Sequence, residues 1–250
     1  ALSLDSSTRH ISCLENGKAR PSRPMIDNIA RVLTLGERDS CHLLLAGGFL
    51  AEGKVVDFHA AEYKWLRKAM LMTLKAMDPF PAVLADRYGK LLMVNRGWVA
   101  FYRRSMSAER LDRVTNHYEF LFDVSRSNSK PAGGDDTLSL ILMALKQEAL
   151  LSDDPIFLSM LETFAAHPDV PVDWMQRASK VEPMASFRVQ VELAGELRPF
   201  FSVSQMVGAM GPTSYVSEPR LVINSLYPEQ DDLDLSDFLQ DDLKHPLLPY

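Results

Sequence analysis

Cysteine is scarce in this sequence. Cys13 and Cys41 are the only two in 250 residues, too few for a disulfide framework or a structural zinc site. Long apolar runs are missing as well. None approaches the roughly 18 residues that a membrane span needs, and the chain turns polar after Leu4, unlike a secretory leader. The short motifs G-x-S-x-G, H-E-x-x-H and C-x-x-C and a glycine-rich phosphate loop do not occur. The six histidines are scattered, and His59 and Glu62, three apart, have no third ligand beside them. These absences argue against an enzyme, a metal or other cofactor, and a membrane protein. The expected setting is reducing and cytoplasmic.

What is present is an ordinary globular composition, 46% hydrophobic and 24% charged, with a formal net charge of -6. The charge is unevenly spread. From Pro228 to Tyr250 there are seven acids and one base, Lys244, so this tail carries the whole net charge. Residues 1–35 hold five bases and three acids. An acidic balance argues against nonspecific nucleic-acid binding by the whole chain but leaves room for a local basic face.

Residues 7–22, STRHISCLENGKARPS, read as a short helix and its exit. Ser7 supplies a hydroxyl for the first turn. Ile11 and Leu14 share one face, and Asn16-Gly17 offers a left-handed stop. Ser22 and Pro24 open a second helix, with Met25, Ile26, Ile29, Ala30 and Leu33 at helical spacing and a break at Leu35-Gly36. Glu37 to Ala46 is a third, ended by Gly47-Gly48. With Ile11 and Leu14 inward, Thr8, Arg9, Ser12 and Cys13 lie outward. Small polar and basic side chains on one helix face suit base edges and phosphates; a solvated amphipathic helix explains them too.

From His59 to Met77 the apolar positions again follow a helix, which Asp78-Pro79-Phe80-Pro81 ends. AVLAD and LLMVN, separated by a turn around Gly89, read as a hairpin. Asn95 caps a helix that carries Trp98, Val99, Phe101 and Tyr102. HYEFLFDV (117–124) is a short apolar run, and 125–137 reads as a loop. Leu138, Ile141, Leu142, Leu145 and Ala149 make another helix; Asp154-Pro155 starts the next, which runs to His167-Pro168. Asp173 to Ala178 is a further helical turn. FRVQVEL (187–193) alternates as a half-buried strand with one wet face, Gly195 turns the chain, and PFFSVSQMVGAM and RLVINSLY are two more strands. Two strands, a helical middle and three strands predict an α+β fold: a small all-α unit, then one antiparallel sheet of about five strands with helices on one face.

The opening helices resemble the XRE-type helix-turn-helix of the MmyB-like transcriptional regulators. The resemblance rests on Ser-Thr-Arg-His, Leu-Glu-x-Gly-Lys-Ala-Arg-Pro-Ser and Glu-Arg-x-x-x-x-Leu-Leu-x-Ala-Gly-x, spread over residues 6–49. Downstream, PAVLADRYGKLLMVN, AAHPDVP and FFSV…RLVINSLYPEQD are similar to the PAS-like ligand-binding domain of the same regulators. The family's first helix is reduced here to Ala1 to Leu4, with Asp5 in place of the turn glycine and Ser6 in place of an apolar residue. This chain is therefore expected to bind operator DNA weakly or not at all, and the alternative reading is a ligand-binding or protein-interaction module that has lost DNA binding. The resemblance implies a helix-turn-helix remnant at 1–56, a PAS-like domain at 57–228 and an acidic tail at 229–250.

It also implies two kinds of partner. DNA would meet Ser7, Thr8, Arg9, Ser12, Lys18 and Arg20, with Arg9 nearest base edges and Lys18 and Arg20 nearer phosphates, and a symmetric homodimer would read two half-sites. A small hydrophobic ligand, fatty-acid-like as the leading class, would lie between the sheet and the helix that begins near Arg96. Its expected walls are Trp98, Phe101, Tyr102, Phe120, Phe122 and Phe200, with Ser202 among the polar anchors. Plain core packing accounts for each aromatic taken singly. Burying about ten methylenes at ~0.8 kcal/mol each would supply roughly 8 kcal/mol before ordering costs.

Overall fold

A computed structural model describes residues 6–49, 57–127, 134–152, 154–182, 188–193, 195–207 and 220–250. Three short helices come first: α1 (Thr8–Glu15), α2 (Arg23–Val32) and α3 (Glu37–Ala46). The Ser7 hydroxyl accepts from the His10 amide at 3.1 Å, which starts α1, and Gly17 ends it with φ +66. The break after α2 differs from the expected one. The helix stops at Val32, and the left-handed residue is Thr34 (φ 53), with Gly36 serving as the N-cap of α3. Ile26, Cys41 and Leu44 form a small core, to which α1 contributes no buried residue.

Helix α4 (Lys64–Met77) leads into strands β1 (Ala82–Asp86) and β2 (Leu91–Val94). Gly89 turns this hairpin at φ +81, and a side chain there would overlap the Tyr118 ring. Then come α5 (Arg96–Tyr102), α6 (Ala108–Asp112), α7 (His117–Ser127), α8 (Gly134–Ser152), α9 (Pro155–Ala165) and α10 (Trp174–Lys180). The expected loop at 125–137 is helical at both ends; residues 128–133 lie outside the described residues. Strands β3 (Arg188–Leu193), β4 (Glu196–Val207) and β5 (Leu221–Pro228) close the sheet. Its five strands are antiparallel in the order β2-β1-β5-β4-β3. The fold is α+β, with the helices ahead of the last three strands. Among the described residues, no helix is long and apolar enough to cross a membrane.

The sheet separates two cores. Val83, Ala85, Val94 and Phe200 point to one face, with Trp98, Phe101 and Tyr102 of α5. Ala82, Leu84, Met93, Leu221 and Ile223 point to the other, beneath Met70 and Leu74 of α4. Helix α4 thus adds a layer opposite the expected one, and β1 and β2 are buried on both sides. Strand β3 alternates as its sequence predicts: Arg188 and Gln190 exposed, Val189 and Val191 half-buried.

The acidic segment 229–250 runs over the α5 face as an irregular strap. Leu235 is 2% exposed, and Leu233, Phe238, Leu243, Leu247 and Leu248 pack around it. The Val94 amide donates to the Leu247 carbonyl at 3.0 Å. Arg96 and Arg103 donate to the carbonyls of Gln240 and Lys244 at 2.7 and 2.6 Å. The Tyr250 hydroxyl reaches Asp78 at 2.9 Å. The carboxylates stay at the surface while the leucines between them turn inward.

Candidate functional site

Helix α5 is held by its cap. Asn95 is fully buried, and its Oδ1 accepts from the amides of Trp98 (2.8 Å) and Ala82 (2.9 Å). Its Nδ2 donates to the Phe80 carbonyl at 2.8 Å. One side chain thus joins the start of β1 to the start of α5. The Gly97 amide donates to Asp78 at 2.8 Å, and any side chain at Gly97 would overlap the Pro79 carbonyl. The close approach that only glycine permits aims Trp98, Phe101 and Tyr102 at the sheet.

These rings form one aromatic cluster. Tyr102 meets Phe120 edge-on at 4.7 Å between centroids, and Trp98 lies 5.4 Å from each of them. Phe101 meets Phe200 of β4 edge-on at 5.5 Å. His245 of the strap stands edge-on to Trp98 at 5.3 Å, with its Nε2 3.2 Å from the Leu111 carbonyl. Each such ring pair contributes about 0.5–1.5 kcal/mol beyond burial. Burial pushes the Tyr102 phenol far above its ordinary range. Burial also lowers the His245 pKa, against the smaller opposing pull of the Leu111 carbonyl. The cluster is largely apolar, and His245 brings an imidazole to its edge.

Five of the expected walls, Trp98, Phe101, Tyr102, Phe120 and Phe200, are therefore neighbours. Phe122 is not. It stacks on Phe164 at 4.9 Å and packs with Leu138 and Leu142 in a separate core. The reason is the helix: residues two apart on α7 point to different sides, which an apolar run read without a period does not reveal. Ser202 is half-buried and pairs with Leu226, a strap-side residue, in register two positions from Phe200. The expected DNA-contacting residues Thr8, Arg9, Ser12, Lys18 and Arg20 are all exposed, on α1 and the turn after it. Ser7 is exposed as well, with its hydroxyl engaged as the α1 cap.

Two features were invisible in the sequence. A surface groove of about 450 Å³ runs between α6 and α7, with Arg110, Arg113, Asn116, Glu119 and Asp123 on its walls and Phe120 at its floor. Arg110 and Asp123 sit 3.4 Å apart across it. Phe120 and Val114 belong to both the groove and the core that holds the cluster. The second feature is the strap. Its apolar residues follow no single period, so no periodicity test finds it.

Residues 66–221, from α4 to the first residue of β5, match the family model of the MmyB-like transcription regulator ligand binding domain. The chain belongs to this family. The match takes in α5, Phe120, Phe200 and Ser202; the strap and α1–α3 fall outside it. No curated protein matches the chain. The family is one of regulator ligand-binding domains, and Trp98, Phe101, Tyr102, Phe120 and Phe200 lie within the matched residues.

Proposed function

We propose that this protein is a transcription regulator whose PAS-like domain senses a small hydrophobic ligand, fatty-acid-like in class, and whose α1 reads DNA. The observation that carries the reading is the aromatic cluster of Trp98, Phe101, Tyr102, Phe120 and Phe200, inside a domain of a ligand-binding family. The ligand's chain lies between α5 and the strap side of the sheet. Ser202 and the groove beyond Phe120 offer polar places for its head. Because the rings are closely packed, entry requires Phe120 or the strap to yield, so binding is coupled to movement. The division into a helix-turn-helix unit at 1–56, a PAS-like domain at 57–228 and an acidic segment at 229–250 belongs to the same proposal. The exposed side chains of Thr8, Arg9 and Ser12 face bases, and Lys18 and Arg20 face phosphates.

The test is a series of saturated acids of increasing length, read by thermal shift on the wild-type chain and on Phe101→Trp. Stabilisation that grows with chain length in the wild type, and is lost for long acids first in Phe101→Trp, is the expected result. Identical melting with and without every acid would remove the ligand reading.

A further inference from the structure

Helix α4 is used on one side only. Met70 and Leu74 bury that side against β1, β2 and β5, with Leu66 and Met77 beside them. The other side looks outward and is unusual for a surface. Trp65 is 74% and Met72 62% exposed, and the exposed Ala69 and Ala76 continue the stripe at steps of four, three and four residues, which keeps all four on one side of the helix. Among the described residues, none covers this stripe. Lys64 and Lys68 are exposed beside it, and Lys75 stands over the Tyr250 ring at 5.7 Å. The helix contains no acid. The nearest acids in sequence lie beyond its ends, and two of them are engaged: Asp57 accepts from the His59 amide, and Asp78 accepts from the Gly97 amide and the Tyr250 hydroxyl. Glu62 is the third.

We infer that α4 docks this protein on the surface of a bilayer containing anionic phospholipid, with Trp65 and Met72 at the level of the headgroups and Lys64 and Lys68 at the phosphates. Three observations select that partner. An apolar stripe with an indole, flanked by lysines, is what a helix lying in the interface plane presents, and the lysine stems can follow the apolar surface while their ammonium groups stay in water. The charge of the whole molecule is polarised to match: the strap, with its seven acids, runs over the α5 face, on the other side of the sheet from α4. An anionic surface therefore attracts the α4 side and repels the strap side. The shape is a convex ridge about 21 Å long. A folded protein partner would need a groove to receive it, and bare duplex DNA would set phosphates against Trp65 and Met72; a bilayer interface yields to the ridge. A helix that lies on a membrane needs no spanning segment, so the lack of one does not bear on the inference. Nor does a ligand in the aromatic cluster, which lies on the opposite face.

Flotation of the full chain with vesicles, without added fatty acid, reads the proposal directly. The chain should float with vesicles of equal parts phosphatidylcholine and phosphatidylglycerol at low ionic strength. It should stay behind with pure phosphatidylcholine, and with the mixed vesicles at about 1 M salt, where charges are screened beyond about 3 Å. Lys64→Gln and Lys68→Gln should each weaken binding about fivefold, and Trp65→Ser by about tenfold or more. All three positions are exposed, and unchanged circular dichroism verifies folding. Depth is read separately: mixed vesicles whose phosphatidylcholine chains are brominated should quench the emission of the wild type and leave that of Trp65→Phe unquenched. No flotation with the anionic vesicles, equal flotation with pure phosphatidylcholine, binding indifferent to these substitutions, or quenching that persists in Trp65→Phe would each overturn the inference. So would lysine-dependent binding of random duplex DNA without any vesicle binding, which would make the ridge a nucleic-acid contact.

Discussion

Replacing Asn95 with alanine strands two buried backbone donors, those of Ala82 and Trp98, and frees the Phe80 carbonyl. The expected cost is about 2 kcal/mol or more, a lost cap plus unsatisfied buried groups, measured by urea denaturation. Gly97→Ala costs about 1–3 kcal/mol by overpacking, because the group it meets is the Pro79 backbone and cannot swing away. Asp154 illustrates what a sequence conceals at this scale. Its role as the cap before Pro155 is legible, and the Ile156 amide does donate to it at 2.9 Å. Its partners Tyr88, at 2.8 Å, and Arg87, at 3.4 Å, lie more than sixty residues away on the β1–β2 turn. Both members of the ion pair are at least nine-tenths buried. Removing the carboxylate leaves a buried guanidinium without its counter-charge, so Asp154→Ala should destabilise by about 3 kcal/mol or more.

Elements were legible where one period ruled. The cap and apolar spacing of α5, the hairpin at Gly89 and the alternation of β3 are all present in the sequence and in the structure. Helix α7 was not legible as a helix, because eight residues with five apolar side chains fit a strand as readily. Its helical form explains why Phe120 and Phe122 part company. Alanine at either should cost about 3–5 kcal/mol. Of the two, only Phe120→Ala should also alter the response to added acid, because Phe120 lies in the aromatic cluster and on the groove while Phe122 packs in a separate core.

Two histidines, His245 in the strap and His117 on α7, carry a pH dependence. His245 is pushed below its ordinary 6.5 by burial, and His117 on α7 is pushed by burial to about 4. An unfolded histidine gains its proton near pH 6.5, while these two stay neutral in the folded chain. Stability is therefore full above about pH 6.5 and falls as the pH drops from there toward 4. His117→Gln should flatten that fall, as monitored by urea midpoints between pH 7 and 5.

For the whole molecule, composition and charge excluded much and placed little. Residues 228–250 carry the net charge of -6, yet the leucines of that segment pack into the core beside α5, spaced for an extended strap and not for a helix. The α1–α3 unit touches the ligand-binding domain where Arg23 donates to the Ser152 carbonyl at 2.9 Å, at the end of α8. Long-range contacts of this kind leave no local mark in a sequence. If Lys18 and Arg20 contact phosphates, replacing either with alanine should reduce the salt dependence of operator binding by about one counterion, with little change in sequence preference.

The central claim is that the aromatic face beside α5 receives an apolar ligand. The most direct measurement is the fluorescence of Trp98 alone, with Trp65 and Trp174 replaced by phenylalanine, as a long-chain saturated acid is added. A saturable change in Trp98 emission, lost in Phe120→Ala, is the predicted result. Trp98 emission that stays constant through saturating acid would contradict the account and leave the cluster as core alone.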